Sequence, residues 1–91
     1  MPAFHSEAAQ SAFERAVERE RQAIVRHEQS AQRQDELADS LEQRAGHARD
    51  ALVAQVQIDQ AAAARERAKA ARERAATARK RLRDEGVEPD V

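Results

Sequence analysis

From residue 61 to residue 82 an apolar side chain returns every three or four positions: Ala61, Ala64, Ala68, Ala71, Ala75, Ala78 and Leu82. The stretch rests on a seven-residue repeat, AARERAK, AARERAA and TARKRLR over residues 63–69, 70–76 and 77–83. Such a period draws one narrow apolar stripe along a helix and calls for a partner helix. Alanine lets two backbones approach closely but buries little area. A fully buried Leu or Ile contributes about 1.5–3 kcal/mol, and Ala much less. The stripe therefore predicts close packing that cannot hold two chains together by itself.

The flanks of the stripe are more specific. On this register the e positions are Arg65, Arg72 and Arg79, and the g positions are Arg67, Arg74 and Arg81. Pairing the segment with a copy of itself would set Arg against Arg. Flanking charges choose partners. These six residues are thus the candidate partner-binding residues, reading for an acidic helical neighbour.

The first half of the chain offers one. Taking Val17, Ile24, Ala31, Ala38, Ala45 and Leu52 as a positions gives an unbroken apolar line. The d positions are Phe13, Glu20, His27, Gln34, Leu41 and Ala48, wet in the middle. The e positions, Glu14, Arg21, Glu28, Asp35, Glu42 and Arg49, are mostly acidic. An antiparallel pair matches e with e, so this edge is expected to face Arg65, Arg72 and Arg79. The charge partition agrees in sign: residues 1–60 carry 7 bases and 11 acids, residues 61–83 carry 9 bases and 2 acids, and residues 84–91 carry 4 acids.

Helix is the expectation nearly throughout. The two prolines are Pro2 and Pro89, and Gly46 is the one glycine before Gly86. Ala, Arg, Glu and Gln, all strong helix formers, dominate between them. Ser6 is placed to cap the first helix, with Glu7 favourable in its first turn. At the far end Gly86 suits a left-handed stop, with Val87 folding onto Leu82 and Pro89 barring continuation.

The expected fold is therefore all-α: an antiparallel helical hairpin with coiled-coil character. Residues 1–5 form a lead, residues 6–86 the hairpin with its turn near Gly46, and residues 87–91 a loose acidic tail. Arms of about 40 residues would each run about 60 Å. One uninterrupted helix is the first alternative, since a lone Gly costs a helix only about 1 kcal/mol. Three helices are the second, with Asp39, Ser40 or Asp59 as internal caps. Val53, Val56 and Ile58 lie off the second stripe and widen the apolar surface near the turn. A helix with so wide a surface touches more than one neighbour, so two hairpins are expected to pair as a four-helix bundle.

Composition narrows the functional classes. Ile, Leu, Val and Phe together are 14 of 91 residues, below the level at which a self-sufficient core is expected. A compact enzyme with a dry pocket does not fit. There is no cysteine, hence no disulfide framework or thiol metal site. No apolar run approaches the roughly 18 residues needed to span a membrane. The first residues show no basic region followed by an apolar stretch, so a cytoplasmic protein is expected. Arg outnumbers Lys 14 to 2 and Ala is 22 of 91 residues, a bias that suggests a bacterial source.

No chemistry-bearing constellation emerges. His5, His27 and His47 do not share ligand spacing, and a bundle metal site needs convergent His and carboxylates. Asp35, Asp39 and Glu42 share a helical face but read as a solvated acidic patch. No catalytic residue, metal or cofactor is expected.

The functional expectation is a non-catalytic protein–protein interaction or assembly module, a small adaptor or regulator, with a homodimer the first partner to consider. Val17, Ile24, Leu41, Leu52, Val53 and Val56 are the candidate interface anchors. The alternative is a nucleic-acid-associated helical protein binding phosphates through residues 65–83. That stretch has no aromatic to stack on bases, and the net charge is only −1, unlike most dedicated binders.

Overall fold

The computed structural model describes residues 6–91; the five-residue lead, with His5, lies outside the described residues. Two helices make up the fold: α1 (Glu7–His47) and α2 (Ala51–Asp84). They run antiparallel as a hairpin 73 Å long and about 17 Å across. A single chain supplies two helices, neither one continuous helix nor three.

The helix ends are built from local hydrogen bonds. Ser6 Oγ accepts from the Ala9 amide at 3.1 Å, which fixes the start of α1. Asp50 Oδ1 accepts from Leu52 N at 2.7 Å and Val53 N at 3.3 Å, which starts α2. At the end of α2 Gly86 adopts φ 78°. Val87 N donates to Leu82 O at 2.8 Å and Gly86 N to Arg83 O at 3.0 Å. That pair of bonds is the left-handed stop expected from the sequence, a conformation that glycine adopts with the least strain.

The turn is not at Gly46. The link is Ala48, Arg49 and Asp50, with Ala48 and Asp50 both extended. Gly46 is helical, in the last turn of α1, and a Cβ built there meets nothing within 4 Å. The reversal needs no left-handed residue. The Asp50 cap supplies the new start, and an Asp followed by apolar residues is a weaker signal than a lone glycine.

The core is one narrow seam. All seven positions of the α2 stripe are buried, from Ala61 to Leu82. On α1 the a positions Val17, Ile24, Ala31 and Ala38 are buried, with Leu41. Packing repeats in steps of seven: Ala38 and Leu41 against Ala61 and Ala64, Ala31 against Ala68 and Ala71, Ile24 against Ala75 and Ala78. Val17 and Leu82 complete the last cluster, and Val87 closes on it. Leu52 is the departure from the expected a line. The turn falls between Ala45 and Leu52, so Leu52 sits on α2 and is 78% exposed.

The tail, expected to be loose, folds back along the helices. Pro89 is buried. Arg21 donates to Glu88 O at 2.8 Å and pairs with Asp90 at 3.2 Å, and Arg79 Nε donates to Val91 O at 3.1 Å.

Candidate interaction surface

The six candidate arginines divide between the two flanks of the seam. On the first flank every e-position arginine meets an acid of α1. Arg65 lies 2.9 Å from Asp39, 2.7 Å from Glu42 and 3.6 Å from Asp35. Arg72 pairs with Asp35. Arg79 pairs with Glu28 at 2.7 Å. Each step of seven up α1, from Glu28 to Asp35 to Glu42, matches a step of seven down α2. This is the e-with-e edge that an antiparallel register requires. Hydrogen bonds to Asp39 and then Glu42 push the Arg65 pKa up from its ordinary value. The patch of Asp35, Asp39 and Glu42 is thus an arginine clamp.

These pairs set register more than they hold the fold. The Arg79 and Glu28 side chains are both partly exposed, and an exposed pair of this kind contributes about 0.2–1 kcal/mol. A copy slipped by three or four residues would lose the matched edge.

The second flank is looser. Arg67 Nε donates to Gln34 Oε1 at 2.9 Å, and Arg81 stands 3.7 Å from Glu20. Arg74 has neither ion pair nor side-chain hydrogen bond among the described residues; it lines a shallow groove with Glu20, Ala23 and His27. The α1 positions read as a polar d line, Glu20, His27 and Gln34, are in fact this flank. That explains why the line is wet.

The six candidate anchors also divide. Val17, Ile24 and Leu41 are inside the hairpin seam. Leu52, Val53 and Val56 are exposed on the first two turns of α2, and Ile58 follows them. Leu37 of α1, which the sequence reading passed over, is exposed at the same end. With Leu41, Gln60, Ala63 and Arg67 it lines an open groove between the helices. Its signal was a leucine at a g position, on the same flank as Val53 and Val56. Five of the eight exposed large hydrophobic residues therefore lie toward the turn end, Leu37, Val53 and Val56 on the second flank, Ile58 on the first and Leu52 on the outer side of α2.

Among the described residues there is no group of His, Asp and Glu that could hold a metal ion, and no helix is long and apolar enough to cross a membrane. His27 lies on the second flank and His47 ends α1. No family model, curated protein or solved structure matches the chain.

Proposed function

We propose that this chain is a non-catalytic interaction or assembly module, a small adaptor or regulator of the cytoplasm. Its Arg-flanked alanine seam is spent on closing the hairpin against its own acidic helix. Its apolar turn end is the surface that meets a partner. The observation that carries this reading is the contrast between the matched edge and the exposed apolar residues near the turn. Arg65, Arg72 and Arg79 have their carboxylates in the same chain, while Leu52 is largely exposed and Val53, Val56 and Ile58 are about half exposed. The partner-selecting role read for the arginines becomes a role in selecting α1. The contact with other molecules falls to the apolar residues. Two hairpins pairing as a four-helix bundle is the form of assembly this surface fits best.

One observation favours the nucleic-acid alternative. Arg67, Arg74 and Arg81 stand seven residues apart on one flank, and Arg74 is without a partner among the described residues. Three phosphate contacts would give a log–log salt slope of about −2.7.

Tagged protein captured from the lysate of its native host, with and without nuclease, separates the two. The expected result is a defined protein, or the chain itself, that survives nuclease and is lost on Val53→Asp with Val56→Asp. Loss with nuclease, and loss on Arg67→Glu with Arg74→Glu, would transfer the function to phosphate binding and sink the interaction reading.

A further inference from the structure

We infer that the partner at the turn end is a second copy of this chain, docked with both turns at the same end so that α1 of each copy lies along α2 of the other. The inference rests on the assembly reading above and adds the face, the sense and the register of the contact.

The face is the side of the hairpin where Leu37 and Leu41 of α1 border α2 at Gln60, Ala63 and Arg67. Val56 and Val53 stand one and two turns further toward the α2 start on the same side, by their positions in the seven-residue period. Farther from the turn the groove is floored by small residues, Ala23 and Ala70. It is crossed there by Glu20, His27 and Arg74, so the dry part of the face is the turn-proximal part. Pairing two such faces buries the side chains that one hairpin leaves in water.

The charged rims of that face choose the sense of docking. Its α1 rim is basic, with Arg26 and Arg33 seven residues apart; its α2 rim is acidic, with Glu66 and Glu73 seven apart. Among the described residues none of the four has an ion pair. The contacts of Arg67 with Gln34 and of Arg81 with Glu20 put Arg33 level with Glu66 to within about 3 Å along the axis, at 1.5 Å per residue. With turns together, α1 of one copy lies over α2 of the other, and Arg33 meets Glu66 twice. With turns apart, α1 lies over α1, and each rim meets a rim of its own sign. Like charges set against each other exclude the second arrangement. Arg26 reaches the rim only by turning away from the groove beside Val25, so Arg33 carries the test.

Analytical ultracentrifugation of the purified full chain over a concentration series reads the mass, with circular dichroism confirming that each variant stays helical. A doubled mass is expected for the wild type and a single one for Val56→Asp, an exposed position outside the seam. Arg33→Glu is expected to weaken the dimer about tenfold, and Arg33→Glu with Glu66→Arg to restore it to within about twofold, as opposed rim charges require. The absence of cysteine makes Arg83→Cys, at the open end, a unique spin-label site. Its intermolecular distance is expected below about 30 Å with turns together, against about 50 Å or more with turns apart, because α2 then runs in opposite directions in the two copies. Three results would each overturn the inference: a single mass at all concentrations, a dimer indifferent to Val56→Asp, or a long 83-to-83 distance. A monomer that still captures a protein through Val53 and Val56 would overturn it and leave the interaction reading standing.

Discussion

The two ends of the rod handle their large apolar side chains in opposite ways. At the open end Val17, Ile24 and Leu82 face inward, Val87 closes over them and Pro89 is buried beside the helices. At the turn end Leu41 alone of the large residues is buried, and Leu52, Val53, Val56 and Ile58 face out. Between them lies a seam of alanine. The one buried side-chain oxygen without a partner, among the described residues, is Gln57 Oε1, also toward the turn. The open end is closed in part by its own tail, although Phe13, Val25 and Val91 remain exposed there and Arg21 Nε is buried without a partner. The other is left as though something else completes it.

Substitutions at the two ends should separate these roles. The largest effect is expected at Ile24 and Leu82, 0% and 1% exposed. Either changed to Ala should cost about 2–5 kcal/mol. Leu52→Ala should stay within about 0.5 kcal/mol for the hairpin alone. Urea unfolding at low concentration, followed by helical dichroism, reads both; equal losses at the two ends would dissolve the contrast.

Next comes the seam between them. Ala68→Leu inserts bulk where two helices meet at Ala31, Ala68 and Ala71, and overpacking should cost about 1–3 kcal/mol. If the seam is loose, this change will stabilise the protein in the same urea assay.

Asp50→Ala should cost about 1 kcal/mol by removing the α2 cap, and Gly46→Ala should gain about 0.5–1 kcal/mol because Gly46 is helical with free space at its Cβ. A destabilising Gly46→Ala in thermal melts would move the turn back to the glycine. The smallest effect is the coupling of Arg79 to Glu28, about 0.2–1 kcal/mol in a double-mutant cycle. It should shrink as salt rises through physiological strength.

Much of the hairpin was legible in the residues because the helix period is rigid. A stripe at steps of three and four has one face, so Ala61 through Leu82 all reached the seam. An antiparallel pair has one matching rule for its edges, so Glu28, Asp35 and Glu42 found Arg79, Arg72 and Arg65. The stop at Gly86 was legible because few residue types tolerate a left-handed angle. The turn was harder. An extended link with an Asp cap has no residue that it alone demands, and Gly46 drew attention two positions early. Leu52 continued the a line of α1 by arithmetic only, since the chain reverses before reaching it. The tail contacts on Arg21 and Arg79 depend on where a short segment lands after the stop, which no periodicity encodes. What the exposed turn end meets is not written in the period of one chain at all.

Because the chain enters α1 and leaves α2 at the same end, most of the length of a hairpin 73 Å long separates that end from the exposed apolar residues near the turn. Anything joined before Ser6 and anything joined after the tail would be carried side by side, at arm's length from whatever the turn touches. Lengthening both helices by one seven-residue unit would move those residues outward by about 10 Å without altering the matched edge, so reach and grip can be adjusted independently.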